Sequence, residues 1–321
     1  MTRPLVLVTR ALPEGWLTSL EAECEVLVGA PEPGLDDTLL AALPRADAIL
    51  ALLTETIDDA LLDRAPNLRV VSNMAVGVDN IDVDACTRRG IPVGHTPGVL
   101  TDSTAELTMA LMLAAARGIP AAAADAREGR WATWSPTGWL GRDLRGATLG
   151  VIGLGQIGQA VARRAGAFGM KVVVCNRSDK PKVVAELGAR QVALPQLLAA
   201  SDFVSLHVPL STDTTKLIDA QALAQMKSTA VLINTARGPI VDTDALVDAL
   251  ANGTLAAAAL DVTCPEPLPA EHAMYTLPNL LITPHIGSAT TRTRRAMAER
   301  ACQNVLAGLA GLPLPACVNQ G

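Results

Sequence analysis

Three side chains in the last third of the chain could do acid–base chemistry on an anion. His285 stands in Thr283-Pro284-His285-Ile286-Gly287-Ser288, just past the apolar run Leu280–Ile282. Glu266 stands in Asp261-Val262-Thr263-Cys264-Pro265-Glu266-Pro267, just past the run Ala257–Leu260. Arg237 follows the run Val231–Asn234, and Gly238 and Pro239 turn the chain behind it. Each run reads as a short strand, and ligands of doubly wound folds bind at the C-terminal edge of the sheet. An imidazole carries a proton near neutral pH, and a carboxylate can orient it. A planar guanidinium suits a carboxylate ligand better than an ammonium does. Three such groups at three strand ends form a functional arrangement rather than a core pattern. His207 also sits at a strand end but has no acid partner in its motif. It reads as a cofactor-side contact or a structural residue. His95 is assigned to a hinge, and His272 to a solvated polar loop.

A second motif supplies a redox partner. Gly153-Leu154-Gly155-Gln156-Ile157-Gly158 lies between a strand at 147–152 and a helix at 156–168. Gly-x-Gly-x-x-Gly is a weak signal alone and a strong one in this context. Gly153 permits the tight turn, Gly155 lets the backbone approach a pyrophosphate, and Gly158 brings helix and strand close. The helix N-terminus then offers free N–H groups and partial positive charge to the diphosphate. A NAD-specific loop usually places an acid about 20 residues on, against the ribose 2′-hydroxyl. Here the strand at 172–175 ends in Asn176-Arg177-Ser178, with Lys180 nearby. Those residues suit a 2′-phosphate, so NADP is the preferred cofactor. NAD stays possible, with Arg177 stacked on adenine, and Asp179 could compete for Arg177.

The elements that must position these groups alternate. In the first 95 residues, strand-like runs at Leu5–Val8, 24–28, 48–52, 69–72 and 91–93 are interleaved with helical segments such as 39–43 and 60–64. That alternation predicts a parallel α/β unit. Gly94-His95-Thr96-Pro97-Gly98 breaks it. A long, mostly apolar helix follows, with Ser103 and Glu106 spaced as a capping box. A second series begins at 147, with strands at 147–152, 172–175, Phe203–Leu206, Val231–Asn234, Ala257–Leu260 and Leu280–Ile282. A last helix from Thr291 to about 310 is expected to pack back on the first series. The predicted fold is α/β, with two doubly wound parallel-sheet domains. A smaller flavodoxin-like substrate domain spans 1–99 and 287–321, and a Rossmann coenzyme domain spans 100–286. An alanine tract at 121–124 reads as low complexity.

Bulk composition narrows the function. A length of 321 residues suits two domains, and 50% hydrophobic residues can fill both cores, although aromatics are only 2%. The net charge of −6 disfavours a nucleic-acid partner, which normally meets a basic face. No signal peptide or membrane span is read, and six scattered cysteines without a Cys-x-x-Cys pair suggest reduced thiols in the cytoplasm and no metal site. Trp131, Trp134 and Trp139 fall within nine residues. In an aromatic-poor chain they read either as a packed loop or as an interface anchor.

Asn234-Thr235-Ala236-Arg237-Gly238, Asp261 with Glu266-Pro267, and Pro284-His285-Ile286-Gly287 resemble the signatures of the D-isomer-specific 2-hydroxyacid dehydrogenases, in the same order and over nearly the whole chain. Met74-Ala75-Val76-Gly77-Val78-Asp79 and Leu100-Thr101-Asp102-Ser103-Thr104-Ala105-Glu106 are similar to the glyoxylate reductase/hydroxypyruvate reductase subgroup. The resemblance implies a cytosolic homodimer, often NADPH-linked, acting on a small 2-oxo or 2-hydroxy acid. It implies that Arg237 holds the substrate carboxylate, that His285 is the acid/base and that Glu266 fixes its tautomer. Val76, Gly77, Gly287 and the neighbouring subunit's Trp139 complete the substrate contacts. Thr104, the glycine loop, His207, Val208, Pro209, Thr235, Ala236 and Asp261 line the cofactor, Asp261 through the nicotinamide carboxamide. Formate dehydrogenases carry Gln at the Glu266 position, and phosphoglycerate dehydrogenases often add a further domain. Another D-2-hydroxyacid or phosphite-type dehydrogenase, or a dinucleotide-sensing corepressor without turnover, stays open.

Overall fold

The computed structural model describes residues 3–319. The chain divides into two compact units, one running to Leu100 and resuming at Thr290, the other Thr101–Ala289.

The first unit begins with β1 (Leu5–Val8), α1 (Thr18–Glu23), β2 (Glu25–Val28), α2 (Asp37–Ala42), β3 (Ala48–Ala51), α3 (Asp59–Asp63), β4 (Val70–Asn73), α4 (Val83–Arg88) and β5 (Val93–Gly94). The strands form one parallel sheet in the order β2-β1-β3-β4-β5. β1, β3 and β4 are buried along their whole length. Strands covered on both faces favour continuous apolar runs, as β1 and β3 are, while β4 ends in the buried polar pair Ser72 and Asn73. Asp36, Asp58 and Asp82 each cap a helix by accepting an N–H three residues on.

The second unit opens with α5 (Thr101–Arg117) and α6 (Ile119–Arg127), then β6 (Thr148–Ile152), α7 (Gln156–Ala167), β7 (Lys171–Cys175), α8 (Pro181–Glu186), β8 (Arg190–Gln191), α9 (Leu194–Ala200) and β9 (Phe203–Leu206). It continues with α10 (Ala220–Gln225), β10 (Val231–Asn234), α11 (Thr243–Ala251), β11 (Ala257–Leu260) and β12 (Leu280–Ile282). All seven strands are parallel, in the order β12-β11-β10-β9-β6-β7-β8. The order reverses between β6 and β9, which is where doubly wound folds bind ligands. The chain then returns to the first unit with α12 (Thr291–Leu309), which packs on β3 and β4. The two sheets are the doubly wound α/β architecture read from the sequence.

Several local readings need correction. α5 starts at Thr101, so Ser103 lies inside its first turn and is not an N-cap. Ser-x-x-Glu spacing recurs inside helices, and here Glu106 and Asp102 face Arg164 instead. The alanine tract is part of α6, a helix with no buried residue. The short edge strand β8 was not anticipated. Residues 287–289 stay with the second unit, where the Gly287 N–H donates to Asp261 Oδ2 at 2.7 Å. Among the described residues no single helix is long and apolar enough to cross a membrane. No cluster of three His, Cys, Asp or Glu among them could hold a metal ion.

Candidate active site

Sheet register builds the site. Ile152 pairs with Leu206, Leu206 with Asn234, Asn234 with Leu260 and Leu260 with Ile282. The five strands therefore end in one row. The glycine loop, His207, the Thr235–Arg237 turn, Asp261 and the His285 turn all leave from that row.

The turn at β10 is braced by Asn234, a buried strand-end residue of the Arg237 motif to which the sequence alone assigns no role. Its Oδ1 accepts the Ala236 N–H at 3.0 Å and its amide donates to the Arg237 carbonyl at 2.8 Å. The Arg237 guanidinium donates to the Ala236 carbonyl at 2.8 Å. A Cβ on Gly238 would lie 1.9 Å from the Thr263 carbonyl oxygen, so only glycine lets this turn rest on the loop that carries Glu266.

Asp261 is the anchor of the turn that follows β12. Its Oδ1 accepts the Thr283 hydroxyl at 2.6 Å and the Ile286 N–H at 2.8 Å, and its Oδ2 accepts the Gly287 N–H. His285 adopts φ +51°, in the left-handed region, and its N–H donates to the Asp261 carbonyl at 2.9 Å. So held, His285 Nδ1 meets Glu266 Oε1 at 2.5 Å. Glu266 Oε2 accepts the Thr263 N–H at 3.3 Å. Burial alone would raise the Glu266 carboxyl. The His285 hydrogen bond and charge, the Thr263 N–H and the Arg237 charge outweigh burial and hold the carboxyl below the usual range. The structure thus brings Arg237, Glu266 and His285 together. A carboxylate only accepts, so Nδ1 carries the proton of that bond. His285 Nε2 has no partner among the described residues.

The glycine loop has the geometry a diphosphate requires. Gly153 has φ +95°, and a Cβ there would meet the His207 carbonyl oxygen at 2.6 Å. A Cβ on Gly158 would fall 2.1 Å from the Gly153 oxygen, whereas one on Gly155 meets nothing within 4 Å. The open flank is therefore at Gly155, which leads into α7 without a side-chain cap. The N–H groups of Gln156 and Ile157 have no acceptor among the described residues. The Leu154 N–H donates to Asn176 Oδ1 at 2.9 Å, and Lys180 Nζ donates to the Leu154 carbonyl at 3.0 Å. Asn176 also donates to the Ser178 carbonyl at 2.8 Å. Arg177 is exposed and makes no hydrogen bond or ion pair among the described residues. Asp179 does not compete for it; it accepts from Gln191 at 3.1 Å. A nicotinamide dinucleotide fits this set of donors.

The remaining candidates each have their own local partners. His207 Nε2 lies 2.8 Å from the buried Ser205 hydroxyl, and burial pushes its imidazole down to about 3. It is neutral at physiological pH. Val208 is half-buried and Pro209 exposed beside it. Thr235 and Thr108 share a hydroxyl contact at 2.9 Å, and Thr104 donates to the Gly287 carbonyl at 3.3 Å. Gly287 therefore has both backbone groups engaged. Trp139 stands beside Gly118 and is half exposed. In the first unit, Val76 and Gly77 lie in the half-exposed loop after β4, and His95 Nδ1 contacts the Val76 carbonyl at 2.9 Å. His272 is half-exposed in its loop, and its Nδ1 accepts the Met274 N–H at 3.2 Å and caps a turn.

Residues 109–287 match the family described as D-isomer specific 2-hydroxyacid dehydrogenase, NAD binding domain. A glyoxylate reductase of Aeropyrum pernix is 47% identical over 325 residues, covering 100% of this chain and 97% of its own. The crystal structure of the TT0316 protein from Thermus thermophilus is 49% identical with a TM-score of 0.91, covering 98% of this chain and 99% of that one. An NADPH-dependent glyoxylate/hydroxypyruvate reductase from Sinorhizobium meliloti, solved with NADP and malonate, is 33% identical with a TM-score of 0.88, covering 99% and 97%.

Proposed function

The chain belongs to the D-isomer-specific 2-hydroxyacid dehydrogenases, and from that premise we propose that it reduces a small 2-oxo acid, glyoxylate or hydroxypyruvate, to the 2-hydroxy acid with NADPH in preference to NADH. The observation that carries this reading is the 2.5 Å His285–Glu266 pair beside Arg237, in the strand-end row that also holds the glycine loop.

Gly153 to Gly158 hold the diphosphate through the uncapped start of α7. Arg177, Ser178 and Lys180 take the 2′-phosphate beside Asn176. Thr104, His207, Val208, Pro209, Thr235, Ala236 and Asp261 line the remainder of the cofactor. When bound, NADPH supplies a hydride from C4 of its nicotinamide. Arg237 grips the substrate carboxylate and draws charge from the adjacent carbonyl, with Val76 and Gly77 adding N–H donors. His285 gives the Nε2 proton to the nascent alkoxide, while Glu266 stays ionised and keeps Nδ1–H in place. General acid catalysis of this kind contributes roughly 10²–10⁴-fold. In the oxidative direction the same nitrogen takes the proton. The chain works as a homodimer in the cytoplasm, its exposed tryptophans at the interface and Trp139 bordering the neighbour's substrate.

Steady-state oxidation of NADPH and NADH with a panel of glyoxylate, hydroxypyruvate and pyruvate tests this. The expected result is turnover with a specificity constant favouring NADPH. Tight dinucleotide binding without turnover on any of these acids would mark a redox sensor, and a clear NADH preference would remove the assignment of Arg177.

A further inference from the structure

The loop after β4 has two successive carbonyls tied down by side chains and adjoining N–H groups that are not. The Val76 carbonyl lies 2.9 Å from His95 Nδ1. A carbonyl only accepts, so His95 is the donor, through a protonated Nδ1. The Gly77 carbonyl accepts from the amide of Asn73, also at 2.9 Å. Asn73 is fully buried at the end of β4, and the same amide donates to Asn80 Oδ1 at 2.9 Å. Asn80 in turn donates to the carbonyls of Leu52 and Glu55 at 3.0 and 2.9 Å. His95 is itself fixed through its backbone. Its N–H donates to Ala316, and its carbonyl accepts the Asn304 amide of α12 at 3.0 Å. The N–H groups of Val76, Gly77 and Val78 have no acceptor among the described residues, although all three residues are only half-exposed.

A trans peptide points its C=O and its N–H in opposite directions. Whatever holds the Val76 oxygen therefore sets the direction of the Gly77 N–H, and whatever holds the Gly77 oxygen sets that of the Val78 N–H. We propose that His95 is a positioning residue that turns the Val76–Gly77 peptide so that the Gly77 N–H donates to the substrate carboxylate, with Asn73 locking the following peptide in the same sense. The inference rests on the 2-oxo acid reading above and names the groups that pre-orient one of its anion donors. His95 touches neither substrate nor cofactor in this role, and its own proton does not move.

Asparagine tests the assignment because its amide nitrogen occupies the same bonded position as the histidine Nδ1. With NADPH saturating and glyoxylate varied, His95→Phe is expected to raise KM about fivefold to tenfold, the range of one neutral hydrogen bond, with kcat within about twofold. His95→Asn is expected to keep KM within about twofold of the wild type. NADPH affinity, read by its fluorescence on binding, should be the same in all three. If His95→Phe does not fold, His95→Ala takes its place with the same expectation. An unchanged KM without the donor, or a KM in His95→Asn as high as in His95→Phe, overturns the role of His95 while the wild type still turns over. A wild type inert toward every 2-oxo acid instead overturns the underlying reading, and this inference with it.

Discussion

His285 carries its side chain on a backbone that L-residues avoid. At φ +51° the left-handed conformation costs a non-glycine residue roughly 1–2 kcal/mol, and the Asp261 carbonyl and carboxylate together hold it there. The gain is a ring already seated on Glu266 before any ligand arrives. Because the Glu266 carboxyl lies below its usual range when folded, it is ionised throughout the neutral region. Its stabilising effect is present above the unfolded pKa and lost as pH falls through the folded one. Reduction needs a protonated imidazole, and the ionised carboxylate is its counter-charge. Glu266→Gln keeps the shape and removes that charge, so the pH above which reduction fails should move down, with kcat at neutral pH falling about tenfold or more. A pH–rate profile of glyoxylate reduction decides this, and a superimposable profile would separate Glu266 from the chemistry.

At the level of elements, β6, the glycine loop and α7 form one unit whose spacing depends on an absent methyl group. A Cβ on Gly158 would sit 2.1 Å from the Gly153 oxygen, a separation that no side-chain adjustment relieves. Gly158→Ala should therefore push α7 off β6, weaken NADPH binding by at least about tenfold and lower the melting temperature, checked by fluorescence titration and calorimetry. Ala at Gly155, where the Cβ meets nothing, should leave the melting temperature unchanged. These strands were legible in the sequence because a parallel strand covered on both faces must be an unbroken apolar run. The strand-end chemistry was legible for the same reason, since each reactive residue follows such a run. β8 was not legible: two residues, Arg190 and Gln191, carry no apolar signal. Neither was α6, since its alanine run buries nothing and so marks no core-facing side. The clasp of Asn234 and the anchoring by Asp261 were out of reach for another reason. Both depend on which backbone groups a turn presents, and side-chain type does not encode that.

At the level of the whole molecule, an acidic chain with few aromatics leaves three of its four tryptophans in water. Trp131 is 70% exposed and Trp134 78%, in a stretch from Glu128 to Asp143 that is exposed throughout. Large apolar side chains displayed together are characteristic of interaction surfaces, and tryptophan is enriched at the hot spots of such contacts. Sedimentation of the protein at micromolar concentration should give a dimer. Trp131→Glu combined with Trp134→Glu should shift it to monomer with an unchanged far-UV spectrum. A wild type that sediments as a monomer would instead assign these side chains to another partner.

The chain leaves the first unit at Leu100 and does not return until Thr290. What it brings back is α12, whose Met297, Ala298, Ala301 and Val305 are buried and whose Gly308 lies directly against Val70. On a translating ribosome, the uninterrupted stretch from Thr101 to Ala289 can close its core as soon as β12 emerges. β3 and β4, made long before, stay bare on one flank until the final helix is released. The sheet made first is thus completed by the segment made last, and its folding depends on the longest separation along the chain.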